Sequence, residues 1–151
     1  MDHRPAPDHR PMDRKRIAPI AALCLLGSSL SLTAEPLLGR ELRSAAVVEA
    51  MMPPCIALQP DMAGVYGDII AHWLEQNGPV RAALHELASG SSTPEGLEQQ
   101  IAFADLVRQL QDDTVKVGLT DLAWCCAELM AGLAAGREPA ATPGGPCATE
   151  T

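Results

Sequence analysis

The clearest regular pattern in the chain is an apolar stripe between residues 62 and 73. Its members recur three or four positions apart: Met62, Val65, Tyr66, Ile69, Ile70 and Trp73. That spacing places all six side chains on one face of an α-helix. Pro60 and Asp61 stand just before the stripe and are expected to open this helix.

The residues after the stripe predict a helical hairpin. Gly78 is expected in the left-handed conformation that follows a helix, and Pro79 at the first position of the next helix. This next helix reaches about Ala88, with Val80, Leu84 and Leu87 on its apolar face. Because the link between the two helices is so short, residues 61–88 should form an antiparallel pair.

A helix over about residues 37–51 precedes the hairpin. Pro53 and Pro54 are expected to end it, because a proline ring removes a backbone donor and clashes with the preceding turn. A fourth helix follows the Gly90-Ser91-Ser92 loop and runs to about Gln111. We expect Asp112-Asp113 to turn the chain after it.

Two caps are possible at the start of the fourth helix. Either Ser92 and Glu95 form a capping box, or Thr93 caps the helix with Pro94 at the first position. Residues 114–117 alternate in polarity, but a lone strand has no partner with which to pair, so this segment is expected to be a loop.

A fifth helix is expected to begin at Thr120 or Asp121 and to end at Gly136. Its apolar stripe is Leu122, Cys126, Leu129 and Leu133. With five amphipathic helices on short links, the fold class is all-α, a small helical bundle over residues 35–137. Residues 138–151 are rich in Pro, Gly and Thr and are expected to be a flexible tail.

Residues 1–34 have the organisation of a secretory signal peptide. Three basic residues at 14–16 precede an apolar run from Ile17 to Leu32, and Ala34 is a small residue suited to a cleavage site. Translation starts either at Met1 or at Met12. The run is shorter than the roughly 20 apolar residues that cross a bilayer, so we expect cleavage after Ala34. Retention as a membrane anchor is the alternative. The mature chain is then periplasmic or secreted.

Charge excludes one class of partner. The 151-residue chain carries a net charge of −8, and residues 35–151 alone hold six basic and sixteen acidic residues. A domain this acidic repels phosphate backbones, so nucleic acid is not an expected partner. Contact with a membrane is expected only if the signal segment is retained.

Four cysteines remain once Cys24 leaves with the signal segment. An even number of cysteines in a small exported chain is typical of a disulfide framework. Adjacent helical side chains point about 100° apart, so Cys125 and Cys126 should bond different partners rather than each other. Because Cys126 lies on the apolar stripe, we expect it to bond Cys55, which leaves Cys125 to bond Cys147. Free thiols and a metal or redox site are the alternatives.

The candidate chemistry outside the cysteines is sparse. His72 with Glu75, and His85 with Glu86, lie at similar heights on the predicted hairpin and form a weak candidate metal site. Solvated carboxylates are the simpler interpretation, and no cofactor is expected. No catalytic motif occurs, so the chain is not expected to be an enzyme.

Trp73 and Trp124 are both expected in the core.

Size, export and acidity together favour a small exported binding protein with a protein partner in the cell envelope, such as an inhibitor or an immunity-type protein. The analogy rests on these general properties and not on a family resemblance. Two alternatives remain open. One is a periplasmic metal-binding helical protein, and the other is a membrane-anchored envelope subunit.

Overall fold

A computed structural model of the protein describes residues 37–140 and Cys147. These residues contain five α-helices, which we number α1 to α5 in chain order: Arg40–Leu58, Ala63–Gln76, Gly78–Ser89, Pro94–Thr114 and Leu119–Ala134. Two 3-10 turns, Pro60–Met62 and Gly90–Ser92, precede α2 and α4. The described part of the chain has no strand, which confirms the all-α bundle. The predicted signal segment, residues 1–34, lies outside the described residues.

Helix α1 is the central element of the bundle. It contacts α3, α4 and α5, and residues 44–48 are buried on every side of the helix. A helix that is apolar all round is a buried helix. Helices α3, α4 and α5 therefore pack against α1, whereas α2 packs against α3 and α5.

The main core is mostly aliphatic, with Tyr66 and Trp73 as its buried aromatic side chains. Its largest wholly buried side chains are Trp73, Met51, Leu133, Val47, Val80 and Cys55. A smaller cluster near the start of α1 joins Leu38 and Leu42 to Leu87 of α3. Among residues 37–140, no helix combines the length and hydropathy that a bilayer crossing requires.

The predicted end of the first helix at the proline pair is wrong. Helix α1 runs through Pro53 and Pro54 to Leu58, which places Cys55 inside the helix. An interior proline costs about 3 kcal/mol because its ring removes one backbone hydrogen bond. The two carbonyls that lose their helical donor belong to Glu49, an exposed residue, and to Ala50, a buried one. Burial of Met51 and Cys55 on the opposite face offsets the remaining cost.

The hairpin of α2 and α3 forms as predicted, but its turn differs. Asn77 alone separates the helices, with φ −110° and ψ 71°, and Gly78 is already helical. The side-chain amide of Asn77 donates to the Trp73 carbonyl at 2.8 Å, which caps α2 without a left-handed residue. Within the described residues, only Gly136 has a positive φ, at 78°, just beyond the end of α5.

The capping of α4 follows one of the two predicted schemes. The Thr93 hydroxyl accepts a hydrogen bond from the Gly96 amide at 3.1 Å, and Pro94 is the first helical residue. The predicted turn at Asp112-Asp113 is wrong, because α4 continues to Thr114. The buried Thr114 hydroxyl donates to the Leu110 carbonyl at 2.7 Å and contacts the core. A hydrogen bond inside the last turn extends the helix past both carboxylates.

Helix α5 is capped two or three positions earlier than predicted. Gly118 is the N-cap, so Thr120 and Asp121 lie inside the first turn and provide no capping hydrogen bond. Residues 115–117 form a turn and not a strand, as predicted. The connection between α4 and α5 is therefore short.

Candidate functional site

Two disulfide bonds lie beside the C-terminal half of α1. Cys55 bonds Cys126 and Cys125 bonds Cys147, with Cα–Cα distances of 5.7 Å and 5.4 Å. We call these the inner and the outer disulfide. The adjacent cysteines of α5 diverge to opposite partners, which is the pairing that their helical positions favour. The described cysteines therefore serve as cross-links, and they supply neither thiolates nor metal ligands.

The inner disulfide belongs to the core, and the outer one borders it. Cys55 and Cys126 are 0% and 4% exposed. In the outer disulfide, Cys125 is also buried, at 5%, whereas Cys147 is half-buried. The Cys147 sulfur lies 3.9 Å from the sulfur of Met51, one helical turn before Cys55. The outer disulfide therefore fastens Cys147 against α1 as well as to α5.

The residues next to α5 are also attached to α1. The Glu138 carboxylate accepts a hydrogen bond from Arg40 Nε at 2.8 Å, and the Ser44 hydroxyl donates to the Pro139 carbonyl at 2.9 Å. The hydrogen bond and the charge of Glu138 raise the pKa of Arg40 above its ordinary value. The flexibility of the tail over residues 138–151 stays a prediction, but three of its described residues make specific contacts.

The four candidate metal ligands do not form a site. His72 Nδ1 lies 3.9 Å from the Glu75 carboxylate on the exposed face of α2, and its other ring nitrogen contacts Gln76 at 2.9 Å. His85 and Glu86 are exposed on α3. Within residues 37–140 and at Cys147, no three His, Cys, Asp or Glu side chains are grouped closely enough to hold a metal ion.

A group of exposed apolar side chains lies where α4 gives way to α5. Val115, Leu119 and Trp124 are 81%, 73% and 56% exposed, and they fall within ten consecutive residues. We call these three residues the end patch. Four acidic residues lie inside this stretch or within four positions of its ends: Asp112, Asp113, Asp121 and Glu128. Lys116 is the one basic residue there, and it pairs with Asp113 at 3.3 Å.

The prediction that both tryptophans are core residues is half right. Trp73 is 1% exposed, but Trp124 faces solvent. The pattern contained the signal: Trp124 lies two positions from both Leu122 and Cys126, and two positions correspond to about 200° around a helix. A residue so far from the apolar stripe lies on the opposite face of α5.

No protein family, no curated protein and no solved structure matched this chain. The functional interpretation therefore rests on the geometry of the described residues.

Proposed function

We propose that this protein is exported and acts as a non-enzymatic binding protein, whose end patch contacts a cationic protein in the cell envelope. Inhibition or neutralisation of that partner is the activity that fits best. The observation that carries the proposal is the exposure of Trp124 on α5, within ten residues of the exposed Val115 and Leu119.

Exposed tryptophan is uncommon on a monomer and frequent at interfaces. Trp residues are enriched among the side chains that contribute most to protein–protein affinity. Contiguous exposed apolar surface with a polar rim is typical of an interaction site. Trp124 has Asp121 three positions before it and Glu128 four positions after it, so carboxylates flank it along the helix.

Charge specifies the type of partner. Residues 35–151 carry a net charge of −10. Complementary charge steers association and rejects partners of the same sign, so a basic protein surface with an apolar pocket fits this end of the bundle. The two disulfides support an oxidising compartment as the place of action, since such bonds persist there.

A comparison of two variants tests the proposal. The full chain, Trp124→Ala and Ile101→Ala would each be immobilised and exposed to the same periplasmic extract, and captured proteins would be identified and titrated individually. Ile101 is 61% exposed on α4, outside the end patch, so its variant removes exposed apolar surface elsewhere. Circular dichroism of each variant checks that the bundle is intact.

We expect one basic protein to bind the wild type and Ile101→Ala equally, and to bind Trp124→Ala about 30-fold more weakly, which corresponds to about 2 kcal/mol. Higher salt should slow its association. Equal binding to all three proteins would contradict the end patch as the interface, and an acidic partner would contradict the charge argument.

A further inference from the structure

A cleft of about 510 Å³ opens between the first turns of α1 and the segment that follows α5. It is far from the end patch in the sequence and belongs to different elements. Its lining residues are Arg40, Arg43, Ser44, Glu138, Pro139 and Ala140. The volume lies within the range of roughly 300–1,000 Å³ that small-molecule sites occupy.

The cleft concentrates positive charge in an acidic domain. Two of the six basic residues that follow the predicted signal segment line it. The side chain of Arg43 is exposed and makes no hydrogen bond or ion pair with any residue of the described part. Arg40 uses only its Nε to bind Glu138, which leaves both terminal nitrogens of the guanidinium available for another acceptor.

The contact between Glu138 and Arg40 shows which chemical group the arginine side of the cleft binds. A carboxylate already lies 2.8 Å from Arg40 Nε. Guanidinium groups bind planar carboxylates and phosphates through paired N–H donors. The Ser44 hydroxyl is not a further donor, because it is bonded to the Pro139 carbonyl.

We propose that this cleft binds the oxyanion group of a small molecule, a carboxylate or a phosphate, between Arg43 and the free edge of Arg40. The inference does not depend on the proposed protein-binding function. Glu138 and Glu41 are the opposing carboxylates, and Glu138 competes directly for Arg40. More distant acidic residues matter little, since screening at physiological ionic strength limits charge effects to about 8 Å.

Titration of the full chain tests the proposal. Inorganic phosphate and citrate would be added separately, with sodium chloride at matched ionic strength as the blank, while NMR follows the backbone amides of residues 40–44. The variants are Arg43→Gln and Glu138→Gln. Arg81→Gln removes the same charge from the exposed face of α3 and is the matched control.

Opposite effects are expected from the two variants. Arg43→Gln should raise the dissociation constant about tenfold, as loss of a charged hydrogen-bonding partner does. Glu138→Gln should lower it about threefold, because Arg40 loses its competing carboxylate. Arg81→Gln should match the wild type.

Binding of phosphate alone identifies a phosphoryl ligand, and binding of citrate alone identifies a carboxylate ligand. Binding of both supports the shared oxyanion chemistry. Amide shifts no larger than those in sodium chloride would overturn the proposal. Equal weakening by Arg81→Gln and Arg43→Gln would also overturn it, because general charge would then explain the binding.

Discussion

Replacement of Gly96 by alanine tests the packing of the α3–α4 connection. Gly96 lies in the first turn of α4, against the 3-10 turn Gly90–Ser92. A Cβ atom on Gly96 would overlap the carbonyl group and the Cα of Gly90, which are backbone atoms and cannot rotate away. The connection must therefore shift, and the hydrogen bond from the Gly96 amide to Thr93 is strained with it.

The expected change in the free energy of unfolding combines one stabilising effect with two destabilising ones. Alanine is favoured over glycine within a helix by about 0.5–1 kcal/mol. Overpacking of fixed atoms costs about 1–3 kcal/mol, and a weakened N-cap costs about 1 kcal/mol. We expect Gly96→Ala to lower the free energy of unfolding by about 2 kcal/mol, which corresponds to a fall of about 10 °C in Tm for a domain of this size.

Gly67→Ala is the matched control. Gly67 lies inside α2, and a Cβ there meets nothing within 4 Å. The same substitution should therefore raise the free energy of unfolding by about 0.5–1 kcal/mol. Urea and thermal melts followed by circular dichroism measure both variants. If Gly96→Ala were as stable as Gly67→Ala, the close approach of the two turns would be refuted.

Three further predictions concern the core, the disulfides and export. Ile69→Asp should destabilise the bundle by about 2 kcal/mol, because Ile69 is half-buried against the core. Val65→Asp, on the exposed edge of the same helix, should change the free energy of unfolding little. Equal melting curves of the two variants would show that the two positions do not differ in packing. Removal of both cysteines of the inner disulfide should lower Tm more than removal of both cysteines of the outer one. The inner disulfide closes the longer loop, which contributes about 4 kcal/mol against about 3 kcal/mol in the chain-entropy model, and its sulfurs are buried. Non-reducing peptide mapping checks the pairing, and alkylation of all four thiols before reduction would contradict it. The intact mass of the exported protein should correspond to a chain that begins near Glu35. A full-length chain in the membrane fraction would show that the signal segment is retained.

Local sequence signals predicted most of the helices but not every boundary. The helical stripe that ends at Trp73 depends on neighbouring residues, so the sequence predicted it. The Thr93-Pro94 start of α4 was one of the two caps that the sequence left open. The passage of α1 through Pro53 and Pro54 could not be predicted in the same way. The cost of a proline is local, but the burial of Cys55 that offsets it depends on α5, 71 residues away along the chain.

The candidate sites were harder to predict than the fold, for two different physical reasons. Trp124 was misassigned because tryptophan is usually buried on average, although its helical position pointed away from the stripe. The cleft was not predictable at all. Its two walls, Arg43 and Pro139, are brought together by contacts between segments almost 100 residues apart.

The outer disulfide lies close in the sequence to one wall of the cleft. Residues 138–140 form one wall of the cleft, and the chain on either side is fixed, at Gly136 by the end of α5 and at Cys147 by Cys125. Without that bond, the wall keeps the exposed pair of Arg40 with Glu138 and the hydrogen bond from Ser44 to Pro139. Because Arg40 is exposed, solvent screens its pair with Glu138, so these contacts restrain the segment only weakly against its conformational entropy. The covalent link at Cys147 restrains the chain that leads on from this wall, and such a link persists in an oxidising compartment.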